Sequence, residues 1–230
     1  MDYQYFYLVW TLFFLIIWLS LFLLRKDSRR EILAISLVFG VGGIGCQYLH
    51  LHDWWQPLRI TNTSVGFEDF FIGFAIGGIA SVLYEVVAKR RDVHPSNREA
   101  IRRSSYFFIA FFALVFVCAF FMLHLNSMSA ALLAYVVGIS YLLFRRRDLL
   151  VNSIVSGTLL LVLGAGTYWF LFLIYPEYIS LFWHLPEVWY SKLIFGIPIG
   201  EYIWYFLTGA FIGPLYEFIE GLRTRKLPNV

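Results

Sequence analysis

Seven stretches of this chain are too apolar for a surface that faces water. They lie near residues 5–24, 32–50, 66–87, 105–125, 128–144, 149–174 and 197–218. A helix crosses ~30 Å of hydrocarbon at ~1.5 Å per residue, and each stretch approaches the length this needs. Backbone in the bilayer core has no water to bond, so each run must satisfy its own N–H and C=O groups as a helix. Composition agrees, with 60% of residues hydrophobic, 20% aromatic and 14% charged. One water-soluble core could not hide that much apolar surface. The expected fold class is all-α: a polytopic membrane protein with seven transmembrane helices. The first run reads as an uncleaved span, because Met1-Asp2-Tyr3-Gln4 has no basic residue and no small-residue cleavage site follows it.

The basic residues give the expected orientation. Sixteen of the eighteen Lys and Arg fall at 25–30, 89–103, 145–147 and 223–226, leaving Arg59 and Lys192 for the other side. By the positive-inside rule the N-terminus is outside and the C-terminus cytoplasmic, which requires an odd number of spans. The net charge of +3 is no sign of a nucleic-acid partner, since these residues flank spans. The expected setting is a prokaryotic-type cell membrane, with the lipid bilayer as partner. Trp54, Trp55, Trp183, Trp189 and Tyr190 collect on the external side, either as an aromatic belt at headgroup depth or as a lid over an apolar cavity.

Two segments recur. Arg29-Arg30-Glu31-Ile32-Leu33, with Ser36, Val38 and Gly40, matches Arg146-Arg147-Asp148-Leu149-Leu150, with Ser153, Val155 and Gly157. Asp69, Phe74, Gly77, Leu83, Tyr84 and Glu85 then match Glu201, Phe206, Gly209, Leu215, Tyr216 and Glu217. Matches in the same order predict two three-helix repeats, 1–88 and 128–230, joined by a loop and linker helix over 89–127. Three spans, a linker span and three more set the repeats parallel, about an axis along the membrane normal. Equivalent residues of the third and seventh spans would then share a depth.

Charged residues within spans are costly and are usually kept for function. Glu68 and Asp69 open the third span and Glu201 opens the seventh. A cap at a helix N-terminus accounts for an acidic residue there, but less well for the Phe, Trp and Tyr that follow. Glu85 and Glu217 sit at span ends where the helix dipole opposes them, with Arg90 or Arg223 as expected counter-ions. Other signals carry less. Gly40-Val41-Gly42-Gly43-Ile44-Gly45 has dinucleotide-motif spacing but lies within a span, so close helix packing is expected, as at Gly73/Gly77 and Gly209/Gly213. His50-Leu51-His52-Asp53 lacks further clustered ligands, so no metal is expected. Cys46 and Cys118 sit in apolar runs as packing residues. No motif calls for a cofactor, and the seventh span has no Lys for a retinal Schiff base.

At the two acidic span starts, Val65-Gly66-Phe67-Glu68-Asp69-Phe70-Phe71 and Ile197-Pro198-Ile199-Gly200-Glu201-Tyr202-Ile203, the chain resembles the membrane-integral lycopene cyclase domain of carotenoid biosynthesis. That family carries a hydrophobic-Pro-hydrophobic-Glu-Glu-hydrophobic motif, often in tandem. Here the first copy lacks the Pro and has Asp for the second Glu, while the second has Gly200 for the first Glu. The resemblance implies a non-redox isomerase. A proton is added to a terminal double bond of a linear polyene or isoprenoid, a ring closes through the carbocation, and a proton is removed. It implies Glu68, Asp69 and Glu201 as the acid/base centre, with Trp54, Trp55, Tyr202 and Trp204 lining the substrate cavity. Two alternatives stand beside it. One is a small-molecule transporter similar to SWEET proteins, although their Pro-Gln pair is absent. The other is a catalytically silent carotenoid- or lipid-binding member of the cyclase family.

Overall fold

The computed structural model describes residues 2–51, 53–88, 90–93 and 99–226, with backbone alone at 90–93, 99–106 and 223–226. It is mostly helical. The principal helices are α1 (Phe6–Leu24), α2 (Arg29–His50), α3 (Phe67–Ala88), α4 (Glu99–Phe121), α5 (Ser127–Arg145) and α6 (Leu150–Ile174). After a short α7 (Tyr178–Phe182) come α8 (Ile199–Ile212) and α9 (Leu215–Glu220). Five helical stretches among the described residues are long and apolar enough to cross a membrane: Tyr3–Leu24, Arg29–His50, Phe67–Ala88, Ser127–Arg145 and Arg147–Ile174. The apolar part of α4, Phe107–Phe121, is shorter.

The last expected span is divided between α8 and α9 at Gly213-Pro214. Proline has no N–H, and its ring displaces the carbonyl four residues back, here that of Ala210. Ser153 of α6 donates its hydroxyl to that carbonyl at 2.7 Å, so the freed acceptor is not left unsatisfied. The break is local, because Gly213 N–H bonds Gly209 O at 2.9 Å and Phe218 N–H bonds Pro214 O at 3.0 Å. Gly221, at φ 65°, ends α9 in the left-handed conformation that glycine adopts without strain.

α2 packs along α3, α6 along α8 and α4 along α5, while α1 lies against α3 and α6. The first two pairs share a device. A Cβ added at Gly77 of α3 would lie 2.7 Å from Phe39 Cβ and 3.3 Å from Ile35 O of α2. One added at Gly209 of α8 would lie 2.8 Å from Leu160 Cβ and 2.5 Å from Ser156 O of α6. Only a residue without a side chain allows helices so close.

The lower ends of these pairs also correspond. Arg25, just past α1, forks onto Asp27 at 3.1 Å through both nitrogens, and Arg146, just past α5, forks onto Asp148 at 2.9 and 2.8 Å. Arg25 continues to Glu85 at the end of α3 at 3.0 Å, where Ser28 also donates at 2.8 Å. Arg146 continues to the Leu222 carbonyl past α9 at 2.9 Å. Arg146 thus follows the end of α5 as Arg25 follows the end of α1, whereas the sequence match pairs Arg146 with Arg29. Glu85 pairs with Arg25 and Glu217 accepts from Asn152, while the counter-ions expected from the sequence are Arg90 and Arg223. The Arg90 and Arg223 side chains lie outside those described. Backbone strands β1 (Arg90–Val93) and β4 (Arg223–Lys226) pair antiparallel beside these ends. A hairpin of β2 (Leu193–Ile194) and β3 (Ile197–Pro198) leads into α8.

Ser153→Ala leaves the buried Ala210 carbonyl without its donor. The expected loss is about 1–3 kcal/mol, read as a lowered midpoint of thermal unfolding in detergent.

Candidate functional site

Two loops build the upper end of the molecule by pairing. Gln56 N–H donates to Phe182 O at 2.9 Å, His184 N–H donates to Trp54 O at 2.8 Å, and Trp55 bridges Trp183 between them. The indoles of Trp55 and Trp183 stack with centroids 5.3 Å apart. Asp53 accepts from Ser127 N–H at 2.8 Å and from the Ser127 hydroxyl, which ties the first loop to the start of α5. Tyr190 ties the second loop to the same place through Asn126 at 2.8 Å. Of the aromatics expected on the external side, Trp54, Trp183 and Tyr190 are buried, Trp55 is half-buried and Trp189 is exposed. They form a cap more than a belt.

Glu201, in the first turn of α8, lies under this cap and is 7% exposed. Its Oε1 accepts from the indole N–H of Trp54 at 2.7 Å and of Trp183 at 2.9 Å. Its Oε2 accepts from the Tyr168 hydroxyl at 2.8 Å. No cation touches it among the described residues. Three neutral donors and the positive end of α8 face it instead. Nearby, burial and then Tyr205 and Glu201 push the Tyr178 phenol above its ordinary range, so it stays a neutral hydroxyl.

Asp69, in the first turn of α3, is held differently. Arg59 forks onto it at 2.7 and 2.9 Å, Tyr7 donates at 2.9 Å, and Gly66 N–H donates at 2.7 Å. Arg59 is itself buried, lies 5.6 Å from the Tyr7 ring centre and gives its remaining arm to Pro57 O at 3.2 Å. The guanidinium engages both oxygens of Asp69 as a bidentate pair. Glu68 turns the other way. Its Oε1 accepts from Ile60 N–H at 3.0 Å, while Oε2 packs against Gly66 with no hydrogen-bond partner among the described residues.

Asp69 and Glu201 both line one cavity of about 410 Å³ among α2, α3, α4, α5 and α8. Its walls are largely apolar, and Trp10, Trp54, Trp55, Trp204, Tyr205 and Phe112 contribute much of them. The structure therefore brings Asp69, Glu201, Trp54, Trp55 and Trp204 together and leaves Glu68 and Tyr202 off the wall. Tyr202 bonds the Ile194 carbonyl at 3.0 Å under the hairpin. Its position is a matter of helical period. Residues 204, 205 and 208 follow Glu201 at spacings of three, four and seven and share its face, whereas the next residue is turned ~100° away.

Four contributors escaped the sequence reading as site residues: Arg59, Tyr7, Tyr168 and Trp183. His50 also lines the cavity, and its Nδ1–H donates to the Cys46 carbonyl at 2.8 Å. His52 of the same motif lies outside the described residues, among which no group of His, Cys, Asp and Glu could hold a metal ion. Comparison with known proteins finds no family model, no curated protein and no solved structure that matches this chain.

Arg59→Ala strands a buried carboxylate, at an expected cost of about 3–5 kcal/mol. Asp69→Asn added to that variant restores part of the loss, because the uncompensated charge is gone. Unfolding midpoints of both variants in detergent check this.

Proposed function

We propose that the chain is a membrane-embedded cyclase acting on a linear, apolar polyene or isoprenoid, with Glu201 as its working carboxyl. The observation that carries this reading is a buried carboxyl without a counter-ion on the wall of a large aromatic cavity. Such a cavity has little to offer a polar solute, whereas aromatic faces and a carboxylate both stabilise a carbocation passing between them.

The reaction adds a proton to the terminal double bond, forms the ring carbon–carbon bond and releases a proton, so substrate and product have the same mass. Indole N–H groups can only donate, so Oε1 of Glu201 cannot carry a proton toward Trp54 or Trp183. A proton on Glu201 belongs on Oε2, where the Tyr168 hydroxyl can change from donor to acceptor. Asp69 has both oxygens engaged by Arg59, so the proton-transfer role goes to Glu201. Gly200, where the cyclase pattern has Glu, leaves room for Trp54, whose ring lies 3.1 Å from where a Cβ would be.

The wider frame belongs to the same proposal: seven spans, two parallel three-helix units, the N-terminus outside and the C-terminus in the cytoplasm. The paired glycine contacts at Gly77 and Gly209, the matching clasps of Arg25 and Arg146, and acidic first turns on one cavity support the duplicated arrangement. A second reading, a binding protein that does no chemistry, draws support from Asp69 being saturated with donors.

Expression in a lycopene-accumulating host, with pigment chromatography, tests the cyclase. The expected product is a cyclic carotene of unchanged mass. Glu201→Gln should lower its formation by at least about 100-fold with the protein still in the membrane. Lycopene left unchanged by membrane-inserted native protein would remove that substrate, and its retention on the purified protein would favour the binding reading.

A further inference from the structure

We infer that the cavity is filled sideways from the bilayer, through a gap between α2 and α4. This rests on the proposed apolar ligand and adds its route. The cavity is closed above by the paired loops, with Trp54 buried and Trp55 stacked on Trp183. It is closed on the far side by α3 and α8, where Ile72, Ile76, Thr208 and Phe211 are buried. The lining residues that are exposed are Val38, Gly42 and Gly45 on α2 and Ala113 and Val117 on α4. Among the described residues α2 runs along α3 and α4 along α5, and neither runs along the other.

The chemistry of the mouth suits lipid. From Ile32 to Gln47 on α2 and from Phe107 to Phe121 on α4 there is no charged side chain, so a solute that must keep its water shell gains nothing by this path. The mouth lies past the middle of α2, at a depth where a chain dissolved in hydrocarbon can slide in end first. Its end group would reach Glu201 while its tail stayed in the bilayer.

The glycines of α2 divide into two kinds. Gly43 faces the Asp69 carbonyl and the Cα of Gly73 and is needed for packing, whereas a Cβ added at Gly42 or Gly45 meets nothing within 4 Å. Either open position therefore has room at the Cβ for a larger side chain that narrows the mouth, and leucine also favours the helix over glycine.

The test uses the full chain in liposomes doped with a long-chain alkyl diazirine, with photoadducts mapped by mass spectrometry, so its readout does not depend on catalysis. Native protein should carry adducts on Ile72 or Thr208 inside the cavity and on Leu37 and Val41 on the outer face of α2. In Gly42→Leu/Gly45→Leu the inner adducts should be lost and the outer ones kept, the latter reporting that the helix is still inserted. Ala113→Leu/Val117→Phe closes the mouth from the other helix and should do the same. Inner adducts that persist in both variants overturn the side route while leaving the apolar ligand intact. Native protein labelled only on the outer face overturns the apolar-ligand reading and the route together.

Discussion

A carboxylate removed from water must receive its hydrogen bonds from the protein, and Glu201 receives its three from three separate segments. Trp54 comes from the loop after α2, Trp183 from the loop after α7 and Tyr168 from α6. An unpaired buried charge would be expensive, so the folded state requires these segments to meet. The loop pairing at residues 54–56 and 182–184 is the backbone counterpart of that requirement. Beneath it the helices can leave a space, because the aromatic cap holds the upper ends together without filling the interior.

The remaining buried charges obey the same rule with other means. Glu85 lies at a helix C-terminus, where the dipole repels it, and is held by Arg25 and Ser28. Asp69 is matched by Arg59 with additional donors from Tyr7 and Gly66. These pairs contribute modest net stability, since desolvation offsets most of the attraction, but breaking one is costly. Their effect is to fix register: α1 to α3 through Tyr7 and Arg25, and the loop after α2 to the head of α3 through Arg59.

The helices were legible because span length and helix period are local properties, visible in the apolar runs themselves. The positions of Asp69 and Glu201 were legible too, since a carboxyl opening an apolar run is conspicuous. Their partners were not. Arg59 precedes Asp69 by ten residues, but nothing in that interval reveals that the loop folds back; it read as one of two basic residues on the outer side. Trp183 and Tyr168 reach Glu201 through tertiary packing that leaves no periodic trace. Tyr202 could have been excluded from the start, since it adjoins Glu201 in sequence and so cannot share its face. The division at Gly213-Pro214 was also available, because proline announces a lost N–H, although the rescue of Ala210 by Ser153 was not.

The two acidic helix starts are held by different kinds of partner. Asp69 has a guanidinium on both of its oxygens. The chain ahead of Glu201 offers Lys192 instead, which is exposed and does not touch it. Neutral donors satisfy the lone pairs of a buried carboxyl without supplying an opposite charge. A guanidinium in place of Trp54 would make the two helix starts alike. The difference in partners follows from which residue type each loop delivers: Arg59 ahead of α3, and Trp54 and Trp183 above α8.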